Sequence, residues 1–224
     1  ASAEYDRRTD PLASLLDANT ASLTNLGVNS DSIGRFLQFA EVARLSSRGD
    51  VPFDRVTSSL STLLRVDWDV SATNALLLRA DYRHNSLNAT RLSGLALPTL
   101  AGQQTSDGGG ILASLTSSAG PFINEVRAYA SSDESVIHGF RVSPLGVVNV
   151  TSDLGDGNSG QGQLLFGANS SLPRRTSTRL FEFTDEVSWL AGSAHRLKLG
   201  VLLIAGRSAI VGNGNQFGTF FYNS

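Results

Sequence analysis

Polar and apolar residues alternate along two neighbouring stretches of the chain. Leu64, Val66, Trp68 and Val70 alternate with Arg65, Asp67 and Asp69; Leu76, Leu78, Ala80 and Tyr82 alternate with Arg79, Asp81 and Arg83. A period of two sends successive side chains to opposite faces, so each stretch predicts a β-strand with one apolar and one charged face. Only residues 71–75 separate them, which predicts a hairpin. The layout recurs twice: 109–116 and 122–131 flank 117–121, and 178–189 and 195–204 flank 190–194. A further strand is expected to begin near Phe217.

Long polar stretches, 85–108 and 132–177, join these hairpins. Tight turns alternating with long loops are the layout of outer-membrane barrels, with short periplasmic turns and extended outer loops. Compact soluble domains rarely need loops of that length. Each predicted strand is near the roughly 9–11 residues that cross a bilayer at a tilt. The expected fold is all-β: an antiparallel transmembrane β-barrel segment of about six to eight meandering strands.

Before residue 58 the period is helical. Asp10-Pro11 reads as an N-cap with proline in the first turn, followed by Leu12, Leu15 and Leu16 on one face. Asn19-Thr20 predicts the cap of a second short turn that ends at Gly27. Asp31-Ser32 precedes Ile33, Phe36, Leu37 and Ala40, an i, i+3, i+4, i+7 stripe. Residues 1–58 are therefore expected to form a small helical segment between strands, on the outer-loop side, and 59–224 the wall hairpins. The helical part lacks the exposed Lys and Arg of a DNA-reading helix.

The charges predict a register. Pairing Val70 with Leu76 sets Asp67 opposite Arg79 and Arg65 opposite Asp81. A two-residue slip either way opposes like charges, which is destabilising. Pairing Trp189 with His195 sets Glu186 opposite Lys198. Arg65, Asp67, Arg79, Asp81, Glu186 and Lys198 are thus expected as structural pairs facing a lumen. Trp68, Phe122 and Trp189 all sit beside short turns, the place of an interfacial aromatic girdle. Two residues depart from the pattern. Asp185 shares a face with Phe181, Phe183, Val187 and Trp189; either it lies near the interface or a bulge re-aims it. Asn124 shares a face with Phe122 and Val126.

Composition narrows the chemistry. Of 224 residues, 41% are hydrophobic and 17% charged, with a net charge of −2, which excludes a disordered chain and a basic nucleic-acid footprint. With no cysteine, disulfides, thiolate metal sites, iron–sulfur clusters and cysteine nucleophiles are excluded. The chain has no methionine and starts at Ala1 without a basic-then-apolar leader, so a mature piece of a longer protein is expected. The longest apolar run, near 199–205, is far short of the roughly 20 residues of a membrane helix. Sequons at Asn88, Asn149 and Asn169 carry little weight in a chain rich in Ser, Thr and Asn.

Gly155-Asp156-Gly157-Asn158-Ser159-Gly160 fits G-x-G-x-x-G, but a strand-like stretch follows at 161–166 where a dinucleotide site needs a helix, so a glycine loop is expected. Asp153, Asp156 and Asn158 lack the EF-hand spacing and its closing Glu. His84, His138 and His195 are scattered, and neither an H-E-x-x-H nor a G-x-S-x-G motif occurs. The strand carboxylates have basic neighbours rather than general acid–base settings. The expectation is a protein that is not an enzyme, with no catalytic residue, cofactor or metal.

Several stretches resemble the Oar-like group of TonB-dependent transporters. They are Ser61-Thr62-Leu63-Leu64-Arg65-Val66-Asp67-Trp68, Ala75-Leu76-Leu77-Leu78-Arg79-Ala80-Asp81-Tyr82-Arg83, Gly108-Gly109-Gly110-Ile111-Leu112-Ala113-Ser114-Leu115-Thr116, Phe122-Ile123-Asn124-Glu125-Val126-Arg127, Thr184-Asp185-Glu186-Val187-Ser188 and Ala194-His195-Arg196-Leu197-Lys198-Leu199-Gly200. The stretch from Asp10-Pro11 to Asp31-Ser32-Ile33-Gly34-Arg35-Phe36-Leu37 also resembles an inter-strand segment of that group. The resemblance implies part of a barrel of about 22 strands in the bacterial outer membrane. It also implies a plug elsewhere in the protein, an energy-coupling periplasmic partner and uptake of a large or scarce solute. A porin or structural barrel without coupling stays open as an alternative, as does a soluble β-rich adhesion or carbohydrate-binding domain.

Overall fold

The computed structural model describes residues 1–45, 48–155, 157–192, 195–212 and 214–223. Seven strands form an antiparallel meander: β1 (Ser2–Pro11), β2 (Asp54–Ser71), β3 (Asn74–Leu87), β4 (Gly102–Ala119), β5 (Phe122–Gly139), β8 (Arg174–Ala191) and β9 (His195–Gly212). A smaller sheet holds β6 (Leu145–Gly155) between β7 (Asn158–Gly167) and β10 (Thr219–Asn223), with β10 parallel to β6. The large sheet is open, with β1 and β9 as its edges.

The alternation of connections follows from this meander. Residues 72–73, 120–121 and 192–194 link consecutive strands at one end, whereas 12–53, 88–101 and 140–173 link them at the other. The long connections are not structureless. The first contains a single 3-10 turn (Leu15–Asp17) and helices α1 (Thr20–Asn25) and α2 (Ser30–Val42); the third contains the β6–β7 hairpin. Together they build the core. Leu15, Leu23, Val28, Ile33, Phe36 and Ala40 pack against Leu95, Leu97, Leu100, Val150 and Leu164. Leu97 and Leu164 are fully buried, each contributing about 1.5–3 kcal/mol of apolar burial. The hydrophobic core is thus a module at the long-connection end, and the remaining length of the large sheet is a single layer.

Most of the helical pattern before residue 58 appears where expected. Asn19 caps α1, its side chain accepting from the Ser22 amide, and Gly27 follows that helix at φ 77°. On α2 the buried stripe is Ile33, Phe36 and Ala40, but the cap is Asn29, which accepts from the Ser32 amide at 2.8 Å. The helix expected after Asp10-Pro11 does not form. Those residues end β1, which pairs along β2 from Ser2↔Leu63 to Pro11↔Asp54. Proline is tolerated there because β1 is an edge strand at its very end. The strand starting near Phe217 is β10, but it joins the small sheet rather than the large one.

The register differs from the charge-based expectation by two residues. Arg65 lies opposite Arg79, Val66 opposite Leu78 and Trp68 opposite Leu76. The cause is a turn of two residues rather than five: Ser71 pairs with Asn74, after an irregularity between Asp69 and Ser71. Asn74 donates to the Ser71 hydroxyl at 2.8 Å and closes the turn. The third hairpin shifts likewise, with Trp189 opposite Leu197 and Ser188 opposite Lys198; residues 193–194 of its turn lie outside the described residues. A shift of two keeps every side chain on its face, so the division into polar and apolar faces survives while the individual pairs change.

Candidate functional site

In-register partners share a face, which sorts the large sheet into two surfaces. One carries Tyr5, Leu60, Leu64, Val66, Trp68, Leu76, Leu78, Ala80, Tyr82, Ile111, Ala113, Leu115, Phe122, Val126, Ala128, Ala130, Phe181, Phe183, Val187, Trp189, Leu197, Leu199, Val201, Leu203 and Ala205. The band crosses all seven strands. Most of its large members are exposed, including Ile111 at 65% and Leu199 at 81%. Soluble monomers rarely expose contiguous apolar patches above roughly 300–600 Å², and this one has no second layer over it among the described residues.

The band has aromatic borders. Trp68, Phe122 and Trp189 lie toward the tight turns; Phe122 and Trp189 are cross-strand partners with stacked rings 6.0 Å apart, and Trp68 stands apart from them on the same face. Tyr5, Tyr82 and Phe181 lie toward the other border. From Phe181 to Trp189 the strand advances eight residues, about 26 Å at roughly 3.3 Å per residue. At a tilt of roughly 35–45° that is about 20 Å of height, near the roughly 25 Å apolar belt of outer-membrane barrels. Beyond the second border the same face turns polar. His84 Nδ1 and the Tyr82 hydroxyl both meet Asp107 Oδ1 at 2.7 Å, and Arg175 pairs with Glu134.

Asp185 and Asn124, the two residues that break the apolar pattern, meet each other. No bulge intervenes, and Asn124 Nδ2 donates to Asp185 Oδ1 at 2.6 Å. Neither the interfacial nor the bulge explanation anticipated this partner.

The opposite face carries ion pairs along β2, β3, β5 and β8–β9, together with the exposed Leu202 and Ile204 of β9. The six residues expected as pairs all lie there, paired differently. Arg65 grips Asp67 through two bonds of 2.8 Å, two residues along its own strand. Arg79 lies 3.7 Å from Asp81 in the same relation. These contacts along the strand neutralise the opposed guanidiniums of Arg65 and Arg79. Lys198 still reaches Glu186, diagonally, because Glu186 now faces Gly200. Arg127 pairs with Glu125, which also accepts from the Ser114 hydroxyl.

One ion pair on this face spans three strands. Arg83, Gly108 and Asp133 are in register on β3, β4 and β5, and Arg83 meets Asp133 at 3.1 Å across the glycine. A Cβ at Gly108 would stand 2.0 Å from the Asp133 carboxylate. The signal in the sequence was the Gly108-Gly109-Gly110 run; Gly110 likewise lies under the Tyr129 ring. Asn85, Ser106, Ser135, Thr176 and Thr178 line a polar hollow around this pair.

The remaining motifs are structural. The 158–160 part of the glycine motif begins β7, Gly155 and Gly157 take positive φ at the β6–β7 turn, and Gly160 packs on the Gly27 backbone. The 161–166 stretch is strand, as its sequence predicts; Asp156 lies outside the described residues. The three histidines sit on β3, β5 and β9. Among the described residues no group of three or more His, Cys, Asp or Glu is placed to hold a metal ion. No helix among the described residues is long and apolar enough to cross a membrane, which says nothing of strands.

No family model matches the chain, and neither a curated protein nor a solved structure does.

Proposed function

We propose that this chain is part of the wall of an outer-membrane β-barrel of the TonB-dependent transporter type. The observation that carries the proposal is the exposed apolar band, bordered by aromatics on both sides and backed by an ionic face within one layer of sheet. A soluble sheet with one polar face buries the other against a second layer. Lipid serves as that layer here, and the ionic face looks into a lumen. Charged groups are costly toward lipid and ordinary toward a wet interior.

Strand length supports a large barrel. Eighteen-residue strands run about 60 Å at roughly 3.3 Å per residue, twice the roughly 30 Å hydrocarbon core. The surplus carries the strands outward into the module of long connections, which sits above the outer leaflet. The open edges at β1 and β9 are closed by further strands of the same barrel, since an unpaired edge in lipid is untenable. The plug, the coupling partner and the uptake of a large or scarce solute come from the resemblance of the strand motifs. On this reading the wall performs no chemistry; it holds the pore and presents the outer module.

Fractionation tests the proposal. The full-length protein should be found in outer membranes, resist alkaline extraction and require detergent to stay dispersed. A protein that remains monomeric in detergent-free buffer contradicts it.

A further inference from the structure

Two arginines stand side by side just beyond the apolar band. Arg179 on β8 and Arg207 on β9 are in register, two residues past Phe181 and Ala205 on the same face. Both side chains are exposed. No ion pair or side-chain hydrogen bond among the described residues includes either of them.

Directly opposed like charges are destabilising. Where Arg65 faces Arg79, each guanidinium has an aspartate two residues along its own strand. Arg179 and Arg207 have none. Ser177 and Phe181 flank Arg179 on this face, and Ala205 and Ala209 flank Arg207. On β5, Ser132 is in register with Arg179, and the carboxylate diagonal to it, Glu134, is held by Arg175. Guanidinium stays protonated at every working pH, so the charge cannot be shed. An anion from outside the sheet is what relieves this repulsion.

Position specifies the anion. On the barrel reading, on which this inference rests, Phe181 marks the edge of the hydrocarbon. Two further residues carry the arginines about 7 Å along the strand, or about 5 Å in height at a tilt of roughly 35–45°. The headgroup layer is about 5–8 Å deep on each side of the hydrocarbon core, so the guanidiniums stand at the level of lipid phosphates. Below them Ala205, Leu203 and Val201 run down β9 as an exposed apolar track that suits an acyl chain.

We propose that Arg179 and Arg207 together hold the anionic phosphate of a lipid headgroup, in the leaflet on the side of the long connections. Paired guanidiniums offer planar N–H forks to several oxygens of one phosphoryl group. Their two positive charges match the charge of roughly −1.5 to −2 on a phosphomonoester.

The test uses the full-length protein in phosphatidylcholine vesicles with a trace of spin-labelled lipid. The motionally restricted part of the spectrum reports lipid at the protein surface. Labelled phosphatidic acid should be selected over labelled phosphatidylcholine by about fivefold or more, the effect of at least one basic residue at a headgroup. Arg179→Gln with Arg207→Gln should remove the preference, each single glutamine variant should lower it, and Arg179→Lys with Arg207→Lys should keep most of it. Arg174→Gln with Arg196→Gln takes the same charge from the opposite face and should leave the preference unchanged. Restricted phosphatidylcholine should be equal in all variants, which reports that each is folded. A preference that is absent, that survives Arg179→Gln with Arg207→Gln, or that falls equally in Arg174→Gln with Arg196→Gln overturns the inference. A preference abolished by inorganic phosphate, but not by chloride at equal ionic strength, assigns the site to the free anion and overturns the lipid assignment. Absence of restricted lipid of either kind contradicts the barrel reading and this inference with it, whereas restricted lipid without a preference contradicts this inference alone.

Discussion

Asn124 and Asp185 occupy diagonal positions on β5 and β8, joined by a 2.6 Å hydrogen bond on an otherwise apolar surface. Each is an exception to the pattern of its own strand, and each accounts for the other. A carboxylate facing an apolar medium needs a donor, and the amide supplies it without adding charge. Removing one partner should therefore cost more than removing both. Asn124→Val should destabilise the folded wall by about 1.5–3 kcal/mol. Asn124→Val with Asp185→Val should recover most of that loss. Urea unfolding in lipid vesicles measures both, and a double variant no better than the single would break the pairing argument.

The bond between Arg83 and Asp133 depends on what Gly108 lacks. Gly108→Val should push the two side chains apart, and its cost should shrink once Asp133→Ala has already removed the pair. Both side chains are about half exposed, so the coupling should stay below about 1 kcal/mol. A double-mutant cycle reads it directly, and additive costs would mean that the glycine serves only the backbone.

Charge reversal distinguishes the two registers of the first hairpin. Because Arg65 is held by Asp67 on the same strand, exchanging them (Arg65→Asp with Asp67→Arg) should leave the denaturation midpoint essentially unchanged. In the register read from charge alone, the same exchange would oppose like charges at positions 65 and 81 and at 67 and 79, so a clear loss of stability in folding assays would restore that register.

The module of long connections has a pH-sensitive tie. Arg48, stacked 4.6 Å from the Phe53 ring centre, bonds the Asp17 carboxylate at 2.8 Å. Partial burial raises the Asp17 pKa, but the Ser14 hydroxyl and the Arg48 guanidinium outweigh it and hold the carboxyl below its ordinary 3.8. A depressed pKa contributes stability that is full above the unfolded value and is lost as pH falls through the folded one. Protection of the α1–α2 region in hydrogen exchange should therefore fall below about pH 3.8, and Asp17→Asn should abolish that dependence while lowering protection at neutral pH.

The alternation at 64–70 and 76–82 was legible because one face there is apolar and the other charged. The same strands continue through Thr57-Ser58-Ser59 and Ser131-Ser132-Asp133, where both faces are polar and periodicity has nothing to register. β1 was hidden for the same reason: Glu4, Asp6, Arg7 and Arg8 fall on both faces, and Asp10-Pro11 mimics a helix start. The register was out of reach because charges that balance along one strand are indistinguishable, in sequence, from charges that balance across two. The polar residues at 124 and 185 were visible as anomalies, but their contact needed the β5–β8 pairing, which skips the inserted β6–β7 hairpin.

On the proposed reading the two faces of the large sheet meet different media, and β3 presents both within seven residues. Single spin labels placed at successive positions 76–82 of the full-length protein in lipid bilayers report collisions with oxygen, which partitions into lipid, and with a water-soluble nickel chelate. A period of two is expected, with oxygen favoured at Leu76, Leu78 and Ala80 and the chelate at Leu77, Arg79 and Asp81. Chelate access that is equal at even and odd positions would mean that water bathes both faces, and the wall would not be in a membrane.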